Sequence, residues 1–116
     1  MATTPEGAVK KAAKKLLDAA SAFYFMPVSN GMGRMGIPDI ICCLDGRFIG
    51  IETKAAKGKP TMLQLKALAE IHNNGGLALV INETNLDYLK ECISNVREAR
   101  SNYQLFGRPQ TDLEQD

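Results

Sequence analysis

The sequence of 116 residues is short of several things, and each shortage removes a class of function. No apolar run approaches the roughly 18 residues that a membrane-crossing helix needs, so no span is expected. The opening Met1-Ala2-Thr3-Thr4-Pro5-Glu6 has no secretory apolar stretch, and an odd cysteine count suits a reducing compartment; a cytoplasmic location is expected. The three cysteines lack metal-ligand spacing, and the adjacent Cys42 and Cys43 lie inside an apolar strand, where they read as small buried hydrophobes. The one histidine, His72, stands alone near a helix end. Nothing here suits a soft metal, and there is no Gly-x-x-x-x-Gly-Lys-Ser/Thr loop to cradle a nucleotide. A formal net charge of +1 makes no global electrostatic case for nucleic acid, so any basic footprint must be local. Repeats and low-complexity tracts are absent, and the length predicts one domain over residues 1–116, with 45% hydrophobic residues for its core.

What is present is concentrated between residues 36 and 55. Gly36-Ile37-Pro38-Asp39-Ile40-Ile41 and Ile49-Gly50-Ile51-Glu52-Thr53-Lys54 read as two strands joined at Asp45-Gly46, a dipeptide that accepts the positive φ angles of a tight hairpin turn. Direct pairing places Asp39 and Glu52 on neighbouring strands. Lys54 shares the face of Glu52, because side chains two apart in a strand point the same way. Two carboxylates and an ammonium then converge. Carboxylates that close repel each other unless they share a proton or a divalent ion compensates them. Oxygen donors of this kind suit Mg2+ or Mn2+, ions that keep several waters and work with substrate phosphate oxygens.

The flanking segments supply the frame. Thr3 as a cap with Glu6 three residues on opens a helix whose Val9, Ala13, Leu16, Leu17 and Ala20 recur on one face. Glu6 is then either a cap partner or a group reaching the acidic site. Lys10, Lys11, Lys14 and Lys15 on this helix fit ordinary solvation. Phe23 to Met26 reads as a strand, followed by a glycine-rich loop in which Arg34 either clamps a phosphate or is simply exposed. Lys57 and Lys59 lie in the loop beyond Lys54 and flank the proposed site. Thr61 to Gln64 matches a capping box, with Gln64 either completing the cap or pointing at the site. The helix that follows ends at Asn73-Asn74-Gly75-Gly76. Leu77 to Ile81 suggests a strand covered on both faces, parallel to its predecessor through a right-handed crossover. Asn85 is placed to cap a last helix carrying Leu86, Leu89, Ile93 and Val96. The chain turns polar from Ser101, and Thr111 to Asp116 is expected to fray. The expected class is α/β, a mixed sheet flanked by helices.

Helix, Gly-x-Pro-Asp, Glu-x-Lys about a dozen residues later, and a Gln on the next helix together resemble the PD-(D/E)XK nuclease superfamily. More narrowly, the pattern resembles the VRR-NUC family, the virus-type replication-repair nuclease domain. It is carried by Gly36-Ile37-Pro38-Asp39, Glu52-Thr53-Lys54 and Thr61-Met62-Leu63-Gln64, with Glu6 on the first helix, and it spans Glu6 to Ile81. The resemblance implies a restriction-endonuclease-like αβββαβ core and a metal-dependent endonuclease. In it, Asp39, Glu52 and the Thr53 carbonyl would hold Mg2+ or Mn2+, and Glu6 would serve as an outer or second-metal ligand. Lys54 would orient or deprotonate the attacking water, and Gln64 would support the site. Arg34, Lys57 and Lys59 are the candidate DNA contacts. Single-domain members are similar to Holliday junction resolvases of phage or prophage, acting in bacterial or phage-infected cells as homodimers on branched, four-way DNA. One departure is the loop Gly31-Met32-Gly33-Arg34-Met35, less polar than the family's usual one.

Three rival readings remain at this level. The same core could serve flap, restriction-like or transposon-end cutting. A non-catalytic DNA-binding module is disfavoured because Asp39, Glu52 and Lys54 are all present, whereas decay normally removes one. A magnesium-nucleotide binder lacks its phosphate loop.

Overall fold

A computed structural model describes residues 4–28 and 33–105, with side chains described as far as Arg97. In chain order the elements are α1 (Pro5–Ala19), β1 (Phe23–Phe25), β2 (Ile40–Leu44), β3 (Arg47–Thr53), α2 (Met62–Asn73), β4 (Leu77–Ile81) and α3 (Leu86–Leu105). The strands form one sheet in the order β1-β2-β3-β4. The first two pairings are antiparallel and β3 with β4 is parallel, as a strand-helix-strand crossover requires. The architecture is the α/β one expected from the sequence, a mixed sheet with helices on both faces.

Hairpin chemistry sets the register that matters most. Asp45 and Gly46 both adopt positive φ, at 50° and 86°, so the turn has the twist of the strands it joins. Leu44 then pairs with Arg47, and the ladder runs up to Ile40 opposite Ile51. One step further along that register lie Asp39 and Glu52.

Alternation along the strands divides the sheet. Ile40, Cys42, Leu44, Ile49, Ile51, Leu79 and Ile81 form a buried cluster with Val9, Ala13 and Leu17 of α1 and Leu89, Cys92 and Val96 of α3. Gly50 points the other way, against α2: an added Cβ would lie 2.6 Å from Ile71 Cδ1 and 3.2 Å from Pro38 Cγ. By the same period of two, Glu52 belongs to the α2 face.

Several local expectations change. The cap of α1 is Thr4, whose Oγ1 accepts from the Gly7 N–H at 3.0 Å; Thr3 lies outside the described residues. With the cap one residue later, the third helical position is Gly7, which has no side chain to reciprocate. Glu6 is thereby released from the capping box. Cys42 is buried but Cys43 is exposed, because adjacent strand residues face opposite sides. In β4 only Leu79 and Ile81 are fully buried, so the strand is not sealed on both faces. Asn85 turns its side chain backward, accepting from the Asn82 N–H at 2.7 Å and donating to the Val80 carbonyl at 3.0 Å. Helix α3 continues to Leu105, past Ser101; residues 106–116, and with them the expected frayed end, lie outside the described residues.

The turn that delivers the chain into Asp39 is fixed by Gly36. Its φ is +81°, and a Cβ there would stand 2.5 Å from the Leu63 carbonyl oxygen in the first turn of α2. Both backbone strain and a backbone clash oppose any side chain. Gly36→Ala is expected to lower stability by about 1–3 kcal/mol, while Gly33→Ala, with nothing within 4 Å of the added Cβ, shifts the melting temperature little. Thermal melts of the two variants side by side check this.

Candidate functional site

Asp39 sits just before the first paired residue of β2, so the strand ladder does not dictate where its side chain goes. Thr53 does. Its backbone N–H and its hydroxyl both donate to Asp39 Oδ2, at 2.9 and 2.7 Å. Such charge-assisted bonds are roughly twice as strong as neutral ones, and they leave Oδ1 as the outward oxygen. A strand residue's N–H and C=O point to the same side, so the Thr53 carbonyl is turned toward Asp39 as well. Thr53 itself is fully buried and held from β4, where it pairs with Ile81, while the next N–H, that of Lys54, donates to the Ile81 carbonyl at 3.0 Å.

Glu52 is the unusual member. It is 1% exposed, its Oε2 lies 3.3 Å from Lys54 Nζ, and its Oε1 is buried with no hydrogen-bond partner. An unsatisfied buried acceptor costs about 1–3 kcal/mol. Burial pushes the Glu52 carboxyl above its ordinary value, the neighbouring Asp39 charge pushes it further, and the Lys54 ammonium opposes both. Lys54 is 15% exposed on its side chain, and it shares the face of Glu52 as a period of two demands.

Two carboxylates, a carbonyl turned to the same side and an ammonium thus meet at the end of the sheet. The donor set fits a hard divalent cation. Mg2+ is typically bound by one or two carboxylates, with waters and substrate phosphates completing its shell, and the partnerless Glu52 oxygen is the kind of atom a cation satisfies. Among the described residues no three His, Cys, Asp or Glu side chains form a group that could hold a metal ion. Glu6, half-buried on α1, is therefore not gathered with Asp39 and Glu52 into a three-acid set.

Other residues singled out in the sequence take definite positions. Gln64 completes the capping box of α2: its Oε1 accepts from the Thr61 N–H at 2.8 Å and its own N–H donates to Thr61 Oγ1 at 3.2 Å. Its carbonyl oxygen is thus engaged at the cap. Arg34 is ion-paired with Glu70 of α2. Lys57 and Lys59 are exposed in the loop after β3. The residue that sequence reasoning passed over is Lys10, whose Nζ lies 3.9 Å from Asp39 Oδ1. It follows Glu6 by four residues, and that spacing puts both on one helix face.

Neither a family model nor a curated protein matches the sequence. Among solved structures, the chain is similar to one described as a VRR_NUC domain, with a TM-score of 0.60 and 24% identity over 88% of this chain and 99% of that one. A likeness at this identity establishes the fold, which is that of a VRR_NUC domain with a restriction-endonuclease-like core. It bears the same name as the family that the Gly36–Asp39, Glu52–Lys54 and Thr61–Gln64 motifs resemble.

Because folding favours protonated Glu52, its contribution to stability is complete below the ordinary value of 4.5 and is lost as pH rises through the elevated one. In metal-free buffer, Glu52→Gln should therefore melt above wild type near neutral pH, with the gap closing toward pH 4.5. Melting temperatures of both proteins across that range provide the check; parallel curves would contradict the assignment.

Proposed function

We propose that this chain is a divalent-metal-dependent endonuclease of the VRR_NUC kind, hydrolysing phosphodiester bonds in DNA. The observation that carries the reading is the pairing of Asp39 with a buried Glu52, one of whose oxygens has no partner, beside a largely buried lysine. A purely structural carboxylate in that position would be expected to find a full set of donors.

Asp39, Glu52 and the Thr53 carbonyl are the groups that would hold Mg2+ or Mn2+; Glu6 on α1, which stands apart from the two carboxylates, would serve only as an outer ligand through water. Such an ion, when bound, lowers the pKa of its water and polarises the phosphate. The chain's own residues do the rest. Thr53 locks Asp39 Oδ2 and so presents Oδ1 outward. Lys54 has three N–H donors and directs one toward Glu52, leaving others for the attacking water or a phosphate oxygen. Its positive charge stands where negative charge builds on the phosphate in the transition state. Gln64 supports the site by fixing the first turn of α2, the turn against which Gly36 is packed. Lys57 and Lys59 can follow the DNA backbone, which would make affinity salt-dependent. Arg34 joins them if DNA draws it from Glu70.

The sequence resemblance favours branched DNA, four-way junctions above all, and an enzyme of phage or prophage type working in the bacterial cytoplasm. A homodimer fits that substrate. A junction has two strands to cut, and a two-fold protein offers two matched sites. No described helix is long and apolar enough to cross a membrane.

Purified protein with Mn2+ is expected to cut DNA, with four-way junctions preferred when junction, flap, bubble and linear substrates are compared. Asp39→Asn, which keeps an oxygen for Thr53, and Lys54→Ala should each reduce the cleavage rate by about 100-fold or more while DNA binding survives. Equal cleavage by wild type and Asp39→Asn would rule out this site.

A further inference from the structure

Lys10 is a charge at the site that the chemistry above does not use. Among the described residues, it is the lysine of α1 that comes within ion-pair range of a carboxylate, at 3.9 Å from Asp39 Oδ1. That separation is at the outer limit of an ion pair, and the Lys10 side chain is 35% exposed, so the pairing does little to hold the fold together. What it does is place an ammonium at the one Asp39 oxygen that Thr53 leaves open. A divalent cation would need that same oxygen.

We propose that Lys10 is a substrate-contacting residue: it rests on Asp39 Oδ1 until a divalent ion takes that oxygen, and its ammonium then turns to a non-bridging oxygen of the bound DNA phosphate. The proposal rests on the nuclease reading and deepens it. The physical basis is competition for one anion. With the cation absent, Asp39 is the negative group beside Lys10; with the cation bound, that charge is neutralised and the phosphate becomes the stronger attractor. The lysine stem, one helical turn beyond Glu6, needs only rotamer changes to make the move.

The consequence is a pair of effects of opposite sign. Removing Lys10 removes a competitor for the metal and a contact for the DNA. Lys10→Ala is expected to bind Mn2+ about fivefold more tightly in calorimetry without DNA, the scale of one unit charge about 4 Å away in water. The same variant should bind a four-way junction more weakly in Ca2+, with the slope of log affinity against log salt reduced by about one. Lys10→Arg should restore the DNA affinity and the slope. Unchanged DNA affinity and slope in Lys10→Ala would overturn the proposal. So would parallel weakening of metal and DNA binding, which would mark a structural role instead. Manganese binding that Glu52→Gln abolishes, with Lys10→Ala leaving DNA binding alone, overturns the Lys10 role while sparing the nuclease reading. No manganese binding by wild type overturns both.

Discussion

The grip of Thr53 on Asp39 is the contact on which the rest of the site depends. Asp39 lies outside the strand ladder, so without the two donors of Thr53 its carboxylate would have no fixed place. Those donors are fixed in turn because Thr53 is itself fully buried and ends a strand whose last five residues are buried and which is paired on its far side with β4. A polar cluster is thus held by groups that cannot move without disturbing the core. Glu52 and Lys54 inherit their positions from the same strand, two residues apart on one face.

The site is assembled at an energetic cost. The burial of Glu52 and the proximity of a second carboxylate both oppose the ionised form, and the Lys54 ammonium together with a backbone bond from Asp39 offsets only part of that opposition. Fully apolar side chains there would pack without such opposition. Strain of this electrostatic kind marks positions shaped for something other than packing. A hard cation with a phosphate oxygen in its shell would answer both defects at once, supplying positive charge between the carboxylates and a partner for the orphaned atom.

How much of this could be read from the sequence varied with the range of the interaction. Asp39, Glu52 and Lys54 were legible because the hairpin dipeptide fixes register and the strand period fixes faces; both rules act over a few residues. The α2 capping box was legible for the same reason, although the sequence left open whether Gln64 served the cap, the site or both. Two adjacent threonines made the start of α1 ambiguous by one residue, and that single step decided whether Glu6 was a cap partner. Lys10 was invisible, since a lysine among lysines on a helix reads as solvation until a distant carboxylate is seen beside it. Arg34 and Glu70 are 36 residues apart, and no local pattern announces their pairing. Cys43 was misjudged because an apolar run hides the alternation that exposes every second residue.

The parallel pairing of β3 with β4 has one more consequence, which concerns time rather than geometry. Every acidic and basic group of the cluster is encoded before residue 55, yet the strand end that orients them is clamped by Ile81, reached only after α2 has crossed the sheet. Pairing across so long a loop carries a closure entropy that local hairpins avoid, and it is formed correspondingly late. A nascent chain therefore displays the motif well before it can organise it, and the cluster's geometry is complete only with the last strand.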